Sequence, residues 1–247
     1  MSEEDTQPPR IHPATIWMIL VLIAGGVLVG VSYILDQRKD AKARNESNWG
    51  IGPPQPPLHI NQLKDDLEAT NRDGSTVRLG DLKGKVWVAS YLYADCPMGC
   101  IQNSENLREV YDDFGEDPRF HMVSFSVNSE ADTQERVAAF MQKQKIDHTN
   151  WWYLTAEDSR LGDYTSKFFQ LFPSKPTVDP ELLKENGIIT HSFTLVLIDD
   201  KARVRGYYDV MNAEPIPDMN ITVGEMNLGR LKQDVQYILD NEMEPKP

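Results

Sequence analysis

The chain has 247 residues, 40% of them hydrophobic and 9% aromatic. Setting aside an apolar N-terminal segment and a linker leaves roughly 180 to 190 residues, one globular unit able to build a core without disulfide staples, so the two cysteines are free for chemistry. A formal net charge of −13, with no cluster of Lys and Arg in the globular part, excludes nucleic acid as a partner and is compatible with a basic protein partner.

After a tail over residues 1–14, Thr15 to Leu35 runs 21 residues without a charge. As a helix it spans about 30 Å, one membrane crossing. A cleaved secretory signal would have a shorter apolar region ending in an Ala-x-Ala-like site, so an uncleaved anchor is expected. Arg10 precedes the segment, whereas Arg38, Lys39, Lys42 and Arg44 follow it. Taken alone, that asymmetry places the large domain in the cytoplasm. Residues 36–58 turn from polar to rich in Pro and Gly (Gly50, Gly52, Pro53, Pro54, Pro56, Pro57), the composition of a semi-rigid spacer. The folded domain is expected over residues 59–247, with the acidic stretch after Asn241 as a frayed end.

Within the domain, Leu67 to Thr70, the turn Asn71-Arg72-Asp73-Gly74 and Thr76 to Leu79 predict a hairpin, because an Asp-Gly step supplies the positive φ of a tight turn. Val86 to Ala94 (VWVASYLYA) is nearly all apolar and predicts a central strand covered on both faces. Ile101, Leu107, Tyr111 and Phe114 then share one helix face, and Pro97 suits the first turn of that helix. Further on, the pattern predicts a strand over Phe120 to Val127, a helix over Thr133 to Lys145, a strand over Trp152 to Thr155 and a helix over Gly162 to Phe172. Two strands, His191 to Asp199 and Val204 to Val210, and a closing helix, Leu228 to Asp240, complete the chain. This order indicates an α/β sandwich around a mixed sheet, which a thioredoxin-like fold satisfies along with other small α/β folds.

Cys96 and Cys100 stand four apart in Asp95-Cys96-Pro97-Met98-Gly99-Cys100, where strand gives way to helix. Four-residue spacing puts them on one side of a helical turn, near enough for one metal or one disulfide. The positive end of a helix favours thiolate, the form that both chemistries require. A buried pair of apolar cysteines fits the same spacing, and zinc or redox pairs more often show C-x₂-C. His191, at the head of its strand, overlooks a sheet edge. His12, His59, His121 and His148 have no comparable setting. Met98 offers soft sulfur but reads as loop filler.

Lys83-Gly84-Lys85-Val86, the long apolar strand, Cys-Pro-x-x-Cys and a later His191-Ser192 before a strand ending Ile198-Asp199 resemble the Sco/SenC family. The resemblance covers about residues 65 to 240 plus the single anchor, and Asp132-Thr133 and Leu154-Thr155 match internal landmarks. It implies a thioredoxin-like domain behind one transmembrane helix, with copper, as Cu(I) and Cu(II), bound by Cys96, Cys100 and His191. It further implies a metallochaperone that helps assemble the binuclear copper centre of cytochrome c oxidase, its partners being the copper-bearing oxidase subunit and a copper donor protein. The domain would then lie on the outer face of an energy-transducing membrane, in the periplasm or the mitochondrial intermembrane space, opposite to what the flanking charges favour. The alternative is a membrane-tethered thiol–disulfide oxidoreductase acting on an oxidase subunit or another exported protein. A peroxide-reducing enzyme would need an activated cysteine in a different context. Ile101 stands where the family usually has proline, Asn128 where aspartate is common and Thr190 where aspartate is usual; loss of a carboxylate near His191 bears on how the ring is held.

Overall fold

The computed structural model describes residues 17, 18, 22, 25, 26, 57–95, 99–146, 148–171, 175–181, 183, 188–217 and 219–243. The chain divides into two compact units, Met1–Ile51 and Gly52–Pro247. Of the first, Trp17, Met18, Leu22, Gly25 and Gly26 are helical and exposed. The rest of the expected membrane segment lies outside the described residues, and among those described no helix is long and apolar enough to cross a membrane.

The second unit is organised by a sheet of eight strands. In chain order these are β1 (Asn61–Gln62), β2 (Glu68–Asn71), β3 (Thr76–Arg78), β4 (Val86–Leu92), β5 (Phe120–Ser126), β6 (Trp151–Thr155), β9 (Thr194–Ile198) and β10 (Arg203–Asp209); β7 (Lys175–Pro176) and β8 (Ile189–Thr190) form a separate antiparallel pair. Across the sheet the order is β1-β10-β9-β4-β5-β6-β2-β3. The β4–β5–β6 centre is parallel and the flanking pairs are antiparallel, so the sheet is mixed as expected. Every residue of β4 and β5 is buried, because both strands are interior to the sheet and both faces are covered. That is why these segments read as continuous rather than alternating apolar runs.

The helices are α1 (Gly99–Phe114), α2 (Gln134–Lys143), α3 (Asp158–Phe169) and α4 (Val223–Asn241). On one face of the sheet, Phe114 of α1 packs on Phe120 and Tyr111 stacks on Trp151, while α4 lies beside α1 through Lys232 to Glu109 and Asp113. On the other, Phe169 of α3 meets Trp87 and Phe125, and Tyr91 Oη is hydrogen-bonded to Thr165 Oγ1. Polar groups inside the α1 face satisfy one another: the Trp151 indole N–H donates to Ser124 Oγ at 3.0 Å, and Ser124 meets Ser90 at 3.0 Å.

The hairpin forms as expected, with Gly74 at φ +81°. Several boundaries move. Helix α3 starts at Asp158 instead of Gly162, with its acidic first turn at the positive helix end, and stops at Phe169, where Gln170 turns to φ +53°. Helix α4 starts at Val223 instead of Leu228, because Thr222 and Glu225 form a capping box. His191 precedes its strand instead of heading it: β9 begins at Thr194, where Ser192 Oγ accepts the Thr194 N–H. Glu242, at the start of the expected frayed end, accepts two hydrogen bonds from Arg205, and residues 244–247 lie outside the described residues.

Candidate functional site

Strand β4 delivers the chain to the cysteine segment. Its antiparallel register with β9 pairs Trp87 with Ile198, Val88 with Leu197 and Ala89 with Val196. His191 lies beyond this paired stretch, before β9 begins at Thr194, and its ring meets that of Tyr93, three residues before Cys96 in the chain. Cys96 and Met98 lie outside the described residues, and Cys100 is the second residue of α1, where the unpaired N–H groups of a helix favour an anion.

His191 is buried at 3% exposure in a cage of aromatic edges. Its ring centroid lies 4.6 Å from Phe193, 5.8 Å from Tyr93 and 6.2 Å from Tyr91, each in edge geometry. Nδ1 lies 3.0 Å from the Ser192 carbonyl oxygen. A carbonyl only accepts, so Nδ1 carries a proton and donates in this contact. The backbone thereby supplies an orienting acceptor for a ring whose preceding residue is Thr190. Thr190 itself pairs with Thr177, hydroxyl to hydroxyl, at 2.9 Å.

The loop between β4 and Cys96 is fastened from the β5 side. The Ala94 N–H donates to Asp132 Oδ1 at 3.0 Å, and Asp132 Oδ2 accepts from Ser126 at 2.6 Å and Tyr153 at 2.7 Å. Burial raises the Asp132 pKa, and these three donors work against that rise. Asp95 is paired with Arg136 at 2.6 Å on the surface. Asn128, where aspartate is common in the resembled family, donates its backbone N–H to Ser126 Oγ at 3.0 Å.

The other described histidines stand apart from this arrangement. His148 stacks on Tyr111 at 3.9 Å, and His121 is buried against Trp152 at 4.5 Å. Exposed His59 lies with Asp199 and Glu242 in a group whose ligand atoms fall within 4.8 Å of one another. Those two carboxylates already accept from Arg203 and Arg205, whose guanidinium charges oppose a cation there. Tyr91, Tyr93 and Asp132 escaped sequence reasoning as site residues. The first two read as core strand. For Asp132 the signal was its place in the Asp132-Thr133 landmark.

The SCO1/SenC family profile matches residues 57–220. The SCO1 protein homolog of Bacillus subtilis (strain 168) is 27% identical over 160 residues, 61% of this chain and 80% of that protein. Among solved structures, a SCO1/SenC family lipoprotein from Bacillus anthracis str. Ames is 26% identical, with a TM-score of 0.56, covering 74% of this chain and 99% of its own. BsSco, a Sco-family cytochrome c oxidase assembly protein with a disulfide switch, matches at 21% identity and TM-score 0.54 over 74% and 97% of the two chains. Arabidopsis thaliana ScoI, solved with copper bound, matches at 18% identity and TM-score 0.50 over 71% and 99%. The last two are likenesses of fold.

Proposed function

The chain belongs to the SCO1/SenC family, and from that premise we propose that it is a membrane-anchored copper metallochaperone whose ligands are Cys96, Cys100 and His191. Its cargo is copper, its client the copper-bearing subunit of cytochrome c oxidase, and a donor protein supplies the metal. The observation that supports the reading is the burial of His191 against Tyr91 and Tyr93, the latter three residues before Cys96 in the chain, with Nδ1 turned to the Ser192 carbonyl. In the neutral ring, Nε2 is then the metal-binding nitrogen. Two thiolates suit Cu(I), and adding an imidazole nitrogen accommodates Cu(II), so one site serves both oxidation states.

Copper titration of the full chain, wild type beside His191→Ala, tests this. The variant is expected to fold and to retain Cu(I), but to lose the intense thiolate-to-Cu(II) absorption or hold it only briefly. Cys96→Ala or Cys100→Ala should weaken both states. An unaltered Cu(II) spectrum and lifetime in His191→Ala would refute the Cys₂His assignment. A thiol–disulfide oxidoreductase is the second reading, supported by two cysteines four apart in the sequence. It needs the cysteines and not His191.

The same reading puts residues 45–247 outside the cytoplasm, held by the segment 15–35. C-terminal fusions to alkaline phosphatase and to a cytoplasm-only reporter decide it. Activity of the cytoplasmic reporter alone would exclude both the location and the oxidase role, in agreement with the charges around the anchor.

A further inference from the structure

Three residues, Tyr93, Ala94 and Asp95, separate β4 from Cys96. Two of them are held by groups remote in sequence. Asp132, 4% exposed, sits in the turn that follows β5. It directs one oxygen at the Ala94 N–H and the other at two hydroxyls. A carboxylate deprived of water is costly unless donors surround it, and here they do. The donors are not equivalent. The Ser126 and Tyr153 hydroxyls rotate and can serve as acceptors, whereas the backbone N–H of Ala94 has one direction and only donates. The bond that cannot be rearranged is therefore the one to the cysteine loop. One residue further on, Arg136 in the first turn of α2 holds the Asp95 carboxylate.

We propose that Asp132 is a positioning residue of the candidate copper site: by accepting the Ala94 N–H it fixes the path on which the chain leaves β4 toward Cys96. Arg136 is a second, weaker fastening. The proposal rests on reading Cys96, Cys100 and His191 as ligands. It predicts that disturbing Asp132 alters the chemistry of the cysteines beyond its effect on stability.

The test uses the full chain in four variants and two readouts. One readout is the rate at which Cu(II) is lost to a chelator, followed by the thiolate-to-Cu(II) absorption. The other is the dithiol–disulfide equilibrium of the metal-free protein against glutathione, in which two thiols yield a disulfide and pass two electrons and two protons to glutathione disulfide. Asp132→Ala should speed Cu(II) loss about tenfold or more and move the thiol equilibrium by a comparable factor, the size seen when groups that orient metal ligands are removed. Asp132→Asn keeps an oxygen for Ala94 while the hydroxyls turn to accept, and should stay within about threefold of wild type in both. Tyr153→Phe should lower thermal stability and leave both readouts in place; Arg136→Ala should shift them by less than Asp132→Ala. Asp132→Ala within about twofold of wild type in both readouts, or Tyr153→Phe moving them equally far, overturns the proposal and leaves Asp132 a structural residue. Should Asp132→Ala not fold, Arg136→Ala, whose side chain is exposed, decides: no change in either readout overturns it. Should the wild type take up no Cu(II), the ligand reading fails and the thiol equilibrium alone judges the positioning role.

Discussion

His121, inside β5, and His191, just before β9, are both 3% exposed, yet their surroundings prepare them for different chemistry. His121 lies in β5 opposite Trp87, edge-on to Trp152, and neither ring nitrogen has a hydrogen-bond partner. Burial, with Lys85 adding to it, pushes its pKa down to about 3. In the unfolded chain the same ring titrates near 6.5, so unfolding takes up a proton between these values. The stability associated with neutral His121 is present above about pH 6.5 and is lost progressively as pH falls toward 3, at up to about 1.4 kcal/mol per pH unit. His121→Phe should therefore lose less stability than wild type between pH 7 and pH 5. Equal losses in denaturant titrations at the two pH values would show that His121 does not govern this range.

Helix α4 shows how an element end is decided by contacts that no periodicity reports. Thr222 Oγ1 accepts the Glu225 N–H at 3.2 Å, and Glu225 returns a bond to the Thr222 N–H at 2.7 Å. The next helical residues include Gly224, whose N–H donates to Asn212 O at 2.8 Å. A Cβ at Gly224 would meet the carbonyl oxygens of Val210 at 2.6 Å and Asn212 at 2.9 Å, backbone that cannot swing aside. Thr222→Ala should cost about 1 kcal/mol, as loss of a cap does. Gly224→Ala, which stabilises an ordinary helix interior by about 1 kcal/mol, should here destabilise by more than the cap loss. Urea unfolding of the two variants checks the order; a stabilised Gly224→Ala would mean that the helix start relaxes away from the β10 turn.

At the scale of the folded unit, one arginine ties its two ends together. The register between β9 and β10 shifts between Val204 and Gly206, making Arg205 the extra residue of a bulge, which re-aims its side chain inward. There it donates to the carbonyls of Pro57 and Leu58, to buried Asp199 and to both oxygens of Glu242. The strand that leaves the linker and the chain beyond α4 thus converge on one guanidinium. Arg205→Ala removes one of the two guanidinium partners of buried Asp199, which keeps Arg203 and two backbone donors, and should cost about 1–3 kcal/mol. The Arg205 hydrogen bonds hold the Glu242 pKa below its ordinary value. A folded pKa below the unfolded one gives stability that is present above about pH 4.5 and is lost as pH falls through the folded value. Thermal unfolding of wild type should accordingly fall more steeply from pH 6 to pH 3 than that of Glu242→Gln; parallel curves would rule out this contribution.

The linear order of residues determined most of the architecture, because its signals are local. An uninterrupted apolar run marked β4, an Asn-Arg-Asp-Gly turn marked the hairpin, and helical spacing marked α1. Two-residue strands such as β1, β7 and β8 carry no period to read, and only their partners define them. Where His191 stands is defined by its packing against Tyr91 and Tyr93, about a hundred residues away in the chain, and has no local trace. The same holds for the Asp132 bond to Ala94 and for the Arg205 cluster. A buried charge is stable only where several distant donors or acceptors converge, and that convergence exists only once the sheet has closed.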